Sequence, residues 1–372
     1  MRKVPVGLLQ PGMKVARPVY DSMGFLLLNS GVLLKNEYII KLQELQVPSI
    51  YIEDKRIPDI VVEDIVLEET RQKATCIVRS ILNDINKQPE KNFRTLLFTS
   101  KELNSVLNDI ITQLLQNPNL IVNLSDIRLA DNYTFAHSVN VAVLALTTAI
   151  SLGFSRSDLH KLGMGAFLHD LGKTKIPLSI LNKQDRLLPE EFAEIQKHPR
   201  YGYDLVKLYD LIDASSAAVI FQHHERTNGN GYPQNLTGEE IHKFAKICSI
   251  VDVYDALVAD RPYRPALPPH KALEIMEGAG EEFDLFFLQK FYRHIAAYPI
   301  GTIVGLSNGE IGIVTHNTVG FPTRPNVRVF WTKDFQKVNP YEIDLKEKID
   351  IVVDRVIEEK ELSEAELLNY CS

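Results

Sequence analysis

The sequence predicts a mainly α protein, with a helical central domain between small β-rich units at the two ends. Three observations carry this. Apolar residues recur with helical spacing over most of 59–298. Short apolar runs broken by Gly, Pro, Asn and Ser fill the first 58 residues. At Pro299 the character changes again, to β-like runs such as Ile300-Gly301-Thr302-Ile303-Val304. A chain of 372 residues exceeds one ordinary domain. The boundaries read as 1–58, 59–122, 123–298 and 299–372.

In 1–58, Pro11-Gly12, Ser22-Met23-Gly24 and Asn29-Ser30-Gly31 punctuate the strand candidates Phe25-Leu26-Leu27-Leu28 and Ser49-Ile50-Tyr51-Ile52, with a short helix over Glu37–Leu45. No chemistry is visible there, so the unit reads as a docking or sensory accessory. Residues 59–122 are helical. Leu103, Val106, Leu107, Ile110, Ile111, Leu114 and Leu115 form one apolar stripe, ended by Asn117-Pro118-Asn119. Packing on the next domain is the favoured reading; a dimer helix pair is the rival and leaves a homodimer open, but the heptad is not sustained. From 299 to 345, Gly312-Ile313-Val314 and Val327-Arg328-Val329-Phe330-Trp331 are further strands, and Ile349–Tyr370 reads as a strand or turn followed by a charged surface helix.

Composition narrows the function. The apolar fraction of 45% and charged fraction of 24% are those of a soluble globular protein. No apolar run approaches the roughly 18 residues that cross a bilayer, and no signal peptide is read at the N-terminus. The widely separated Cys76, Cys248 and Cys371 show no paired spacing, which points to a reducing, cytoplasmic setting and away from a cysteine metal site. A net charge of −7 argues against a binder of nucleic acid polymers. It leaves room for a small anionic substrate, because bound cations reverse the sign of charge inside a cleft.

The chemistry concentrates between His137 and Asp255. His137 opens an apolar helix running to Ile150. His169-Asp170 ends another, before Gly172. His198-Pro199 follows a polar helix starting near Pro189, and His223-His224-Glu225 ends the apolar run Ala217–Gln222. Asp252 sits mid-helix among Ile250, Val251 and Val253, where a buried carboxylate needs a partner. Asp255, one turn on, reads equally as a residue backing a ligand or as a helix salt bridge. Taken singly, each has an ordinary explanation as a core histidine, a helix cap or a surface residue. Jointly they place imidazole and carboxylate on successive helix ends, the donor set of a hydrolytic site for divalent metal.

These residues resemble the HD-GYP family, a subgroup of the HD metal-dependent phosphohydrolases. The motifs are Tyr133-Thr134-x-x-His137-Ser138, His169-Asp170-Leu171-Gly172-Lys173-Thr174-Lys175-Ile176-Pro177, His198-Pro199, His223-His224-Glu225 running to Gly231-Tyr232-Pro233, Asp252-Val253-Tyr254-Asp255-Ala256-Leu257, and Arg261-Pro262-Tyr263-Arg264. The match covers roughly 125–298. It implies an all-helical HD-type catalytic domain that hydrolyses cyclic di-GMP. By the resemblance, His137, His169, Asp170 and Asp252 hold one metal, and Asp170 bridges to a second that also takes His198, His223 and His224. Lys173 touches the scissile phosphate, Arg261 and Arg264 bind phosphate or guanine, and Gly231-Tyr232-Pro233 serves structure and the docking of protein partners. Some family members hold a third metal through a carboxylate one turn before the first His. Tyr133 stands there in this chain, so two metals are expected, with Asp131 the first substitute ligand.

Mixed His/carboxylate ligation suits iron or manganese, with zinc the alternative. Two such ions can share a hydroxide and clamp a phosphodiester, giving pGpG, with GMP after a second cut. Lys173 supplies a compact charge for the transition state, or else is a surface lysine after a glycine turn. Arg261 and Arg264 fork onto the ligand or brace their loop, and Tyr232 and Tyr263 stack on guanine or pack the loop. Two rival functions remain: hydrolysis of a hybrid GMP–AMP cyclic dinucleotide, and a nucleotide sensor without turnover that signals through residues 1–122.

Overall fold

The computed structural model describes residues 1–21, 25–45, 47, 49–62, 64–87, 93–117, 121–122, 133–183, 185–208, 212–259, 266–358 and 361–362, with the backbone alone at 84–87, 93–100 and 133–134. The chain divides into a β-rich unit (Met1–Glu63, Ile121–Asp131, Ile295–Ser372) and a helical unit (Asp64–Leu120, Asn132–His294).

In the β-rich unit, β1 (Arg2–Pro5), β2 (Val19–Tyr20), β3 (Leu26–Leu28), α1 (Asn36–Glu44) and β4 (Ser49–Ile52) come first. β1 pairs antiparallel with β4, Arg2 opposite Ile52, and β2 pairs with β3. Near the other end, β5 (Ile303–Leu306), β6 (Ile311–His316), β7 (Asn326–Trp331), β8 (Lys337–Asp344) and β9 (Val353–Val356) form an antiparallel sheet in the order β8-β7-β6-β5-β9. Gly309, at φ +88°, makes the tight turn from β5 to β6, where a side chain would be strained. Ile57 packs with Ile303, Ile311, Ile313, Phe330 and Trp331, and Asp59 takes a two-pronged ion pair from Arg328 at 2.7 Å. The segment after β4 therefore enters the core of the C-terminal sheet, while β1–β4 and α1 keep a core of their own around Val4, Leu42 and Ile50. Local periodicity could not show this, because the partners are far apart in sequence.

The helical unit runs α2 (Glu68–Lys87), α3 (Phe93–Gln116), α4 (Tyr133–Ser151), α5 (Arg156–Phe167), α6 (Leu178–Leu181), α7 (Pro189–Ile195), α8 (His198–Leu208), α9 (Ala214–Gln222), α10 (Lys243–Val258), α11 (Pro269–Gly278) and α12 (Leu285–Tyr292). Leu103, Val106, Leu107, Ile110, Ile111 and Leu114 are buried, and α3 packs on α2, α4 and α5. Leu115 is a correction to the predicted stripe: it is 41% exposed. At roughly 100° per residue it is carried past the edge of the buried face. Among the described residues no helix is long and apolar enough to cross a membrane. Of the strand or turn and charged helix expected over Ile349–Tyr370, the strand is β9, and the helix falls largely outside the described residues.

Candidate active site

The helix ends deliver the site. α4 is apolar on nearly every face and lies buried, which sets His137 inside the unit. α5 starts at an N-cap where Ser155 Oγ accepts from the Asp158 amide, and ends at Phe167, so His169 and Asp170 fall on the turn beyond it. That turn continues as a 3₁₀ helix, Leu171–Lys175, laid on α8. Gly172 permits the approach: a Cβ there would meet the His198 carbonyl oxygen at 1.9 Å and the Gly202 nitrogen at 2.5 Å. α7 has Pro189 in its first turn and Glu191 accepting the Leu188 amide at 2.7 Å. After it, His198 opens α8, fully buried rather than a surface residue before a turn. α9 is N-capped by Asp213 and ends at Gln222, presenting His223 and His224. α10 carries Asp252 and Asp255, both buried.

These residues converge on two donor groups. His137, His169 and Asp170 form one; Asp170, His198, His223 and His224 form the other; within each, the potential ligand atoms lie within 4.8 Å of one another. Asp170 belongs to both. Asp252 lies alongside, its Oδ1 3.1 Å from His137 Nε2 and 3.8 Å from His169 Nε2, its Oδ2 3.9 Å from His224 Nδ1.

The backbone fixes which nitrogens face inward. Nδ1 of His169, His198 and His223 lies 2.7, 2.7 and 2.9 Å from the carbonyls of Ala166, Ile195 and Ile220. A carbonyl only accepts, so each Nδ1 carries the hydrogen, and each Nε2 is the nitrogen that faces the centre and is free to ligate. The Nε2 atoms of His198 and His223 face each other at 3.2 Å, a repulsive pairing of acceptors unless a cation or proton lies between them. His169 Nε2 and Asp170 Oδ1 are buried without a hydrogen-bond partner. Orphaned lone pairs in a dry interior are expensive unless a ligand or metal satisfies them. The donor set thus fits a divalent metal.

Charge follows the same geometry. Burial would raise the Asp170 carboxyl, but Lys173 and His169 outweigh it and hold it well below the carboxylate range. Asp252 is likewise held down against burial, by His137 above all. Burial pushes His198 down to about 4, and His223 and His224 well below their ordinary value. In His137 burial is outweighed by hydrogen bonds to Asp252 and Asp255, and the pKa rises to about 9.

All seven residues expected as metal ligands therefore come together, and Lys173 Nζ rests 2.7 Å from Asp170 Oδ2. Arg261, Tyr263, Arg264 and Asp131 lie outside the described residues, as does the side chain of Tyr133. The Tyr232 ring stacks on His224, centroids 4.6 Å apart. Asp255, left open by the sequence, lies 2.7 Å from His137 Nδ1 and backs that imidazole. The sequence reading gave no role to Glu225. It is 1% exposed and accepts the Gln234 and Leu236 amides at 2.7 and 2.9 Å, tying the loop back to the turn that follows α9. An acidic residue directly after a ligand pair and before a glycine-rich loop was the available signal. Gly231 completes that fold, since a Cβ would lie 2.3 Å from the Arg226 nitrogen.

Comparison with known families agrees with this architecture. A model of the HD domain matches residues 114–285, a span that holds both donor groups, the His169-Asp170 pair and the Gly231-Tyr232-Pro233 loop. Residues 114–285 are an HD domain. A second model, a KOW domain associated with the HD domain, matches 303–365. The chain is 32% identical over 227 residues to a cyclic di-GMP phosphodiesterase of Pseudomonas aeruginosa, covering 61% of this chain and 55% of that one. It is 40% identical over 146 residues to the 3'3'-cGAMP-specific phosphodiesterase 3 of Vibrio cholerae, covering 39% and 31%. The chain thus spans about half or less of the length of these relatives. A solved HDG"Y"P protein from Bdellovibrio bacteriovorus shares the fold at a TM-score of 0.50 and 21% identity, over 78% of this chain and 97% of that one.

Proposed function

We propose that the protein is a metal-dependent phosphodiesterase of the HD-GYP type that hydrolyses cyclic di-GMP to pGpG. The observation that carries the reading is Asp170, a buried carboxylate common to two donor groups with one oxygen left orphaned. A shared carboxylate between two nitrogen-rich groups is the design of a two-ion site. His137, His169 and Asp252 would hold one ion, His198, His223 and His224 the other, and Asp170 both. Mixed nitrogen and oxygen donors favour iron or manganese. When bound, such a pair supplies Lewis acidity, lowering the pKa of water toward about 7 and offsetting phosphodiester charge.

The protein's own groups do the rest. The carbonyl-held imidazoles keep their lone pairs fixed before the ions arrive, so little reorganisation is needed. Lys173 is half-buried beside Asp170 and brings a compact positive charge toward the phosphate oxygens. Arg261 and Arg264 grip phosphate or guanine. Hydrolysis adds one water: its oxygen bonds to phosphorus, the bond to the 3′-oxygen breaks, and that oxygen leaves with a proton. The names of the two relatives support cyclic dinucleotides as the substrate class, with cyclic di-GMP ahead of the GMP–AMP hybrid on the relative matched over more of this chain. Anaerobically purified, metal-loaded protein given the two nucleotides in competition should consume cyclic di-GMP first and release pGpG. Preferred turnover of the hybrid would reassign the substrate, and binding without turnover would make the chain a sensor.

Lys173→Ala should lower kcat about 100-fold or more, the scale of losing one transition-state charge contact, while metal content stays at the wild-type level. Loss of metal in this variant would show that Lys173 holds Asp170 in place instead of meeting substrate.

Metal uptake should depend on pH through His137. Below about 9 its ring carries both protons in the metal-free protein, so a metal must displace one. Below about 9, affinity should rise with pH and each loading event should release a proton; above it the affinity should level off. The metal-free fold responds with the opposite sign. Stability from charged His137 is full below 6.5 and is lost as pH rises through about 9. His198, depressed to about 4, contributes stability that is present above 6.5 and lost as pH falls through about 4. Calorimetric titration of manganese in buffers of different ionisation heat counts the released proton.

A further inference from the structure

A buried chain of hydrogen bonds joins His137 to a helix outside the HD match. Arg71, on α2, is 5% exposed, and its Nη2 donates to Asn140 Oδ1 at 3.4 Å. Asn140, on α4, donates from Nδ2 to Asp255 Oδ1 at 3.2 Å. Asp255 Oδ2 takes His137 Nδ1 at 2.7 Å. Asn140, Asp255 and His137 are 6%, 2% and 3% exposed, so water has little access along the chain. α2 also packs on the 3₁₀ turn that carries Lys173.

The chemistry of the four groups makes the chain one-way. A guanidinium only donates, so Arg71 settles the Asn140 amide with its oxygen toward α2 and its NH₂ toward Asp255. An ionised carboxylate only accepts, so Asp255 requires a hydrogen on His137 Nδ1. When His137 is neutral, that leaves its lone pair on Nε2, which faces Asp252 at 3.1 Å and Asp170 at 3.7 Å. His169, His198 and His223 have their Nδ1 fixed by the backbone carbonyl three residues before them. His137 has this side-chain chain instead.

We propose that Arg71, Asn140 and Asp255 are positioning residues that together hold His137 in its metal-ready tautomer and orientation, making α2 part of the metal site although it precedes residue 114, where the HD match begins. The proposal rests on the metal reading above. It deepens that reading by naming what sets the affinity of the His137–His169–Asp170 group.

The test is a manganese titration of the chelator-stripped full chain, followed by electron paramagnetic resonance, with melting in excess chelator measured alongside. Arg71→Met and Asn140→Leu should each weaken manganese binding about 10-fold or more, the range for residues that orient a ligand. Asp255→Asn should weaken it at least as much. Arg71→Lys, which keeps a donor, should recover part of the affinity. The double variant Arg71→Met/Asn140→Leu should bind no more weakly than the poorer single, because the chain is already cut. Variants that lose melting temperature in chelator but keep wild-type manganese affinity would reduce Arg71 and Asn140 to core packing and overturn the inference. Losses that multiply in the double variant would overturn the chain as a unit. A wild-type protein that takes up no manganese would sink the metal reading itself, a result distinct from wild-type uptake with unaffected variants.

Discussion

Asp170→Ala should abolish turnover and strip metal from both donor groups. Among the described residues, Asp170 is the carboxylate common to both. Its removal leaves the lone pairs of His169, His198 and His223 converging on a centre with less negative charge. Lys173 also loses its partner at 2.7 Å, so an unpaired ammonium remains at the edge. A fall of about 1,000-fold or more is expected, some 4 kcal/mol of transition-state stabilisation. Elemental analysis beside a turnover assay checks both parts. Near-wild-type turnover, or two metals retained per chain, would remove the shared-carboxylate reading.

Gly172→Ala should be the most damaging small change outside the donor groups. The added Cβ would sit 1.9 Å from a backbone carbonyl oxygen and 2.5 Å from a backbone nitrogen, and neither can rotate away as a side-chain tip would. The turn must lift off α8. Overpacking of this kind costs about 3 kcal/mol. The displaced turn carries Asp170 on one side and Lys173 on the other, so activity should fall with stability. Denaturant unfolding of the metal-free protein measures the first and turnover of the loaded protein the second. Wild-type stability in this variant would mean that the turn and α8 lie farther apart than described here.

Much of the site was legible because its residue types are poorly explained otherwise. Consecutive His223 and His224 at a helix end, and Asp252 inside an apolar helix, break the hydrophobic pattern that surrounds them. Such breaks need a partner, and a metal supplies one. Glu225 and Asn140 were not legible in the same way. A carboxylate in a loop and an amide on a helix are ordinary surface residues until the fold buries them, as it does here to 1% and 6% exposure. Arg71 was less visible still, because its partner lies on another helix far along the chain.

The sequence by itself determined the helical centre, its β-rich flanks, the candidate donor residues and the helix ends that carry them. These are local properties: periodicity, capping and turn residues act within a few positions. Tertiary structure alone decided that Asp170 is common to two groups, that Asp255 backs His137 rather than bracing its own helix, that Ile57 joins the core of the C-terminal sheet, and that α2 reaches the site through Arg71. Each of these depends on the meeting of residues distant in the chain. Only the packing of buried surfaces brings them together, and no spacing along the sequence encodes it.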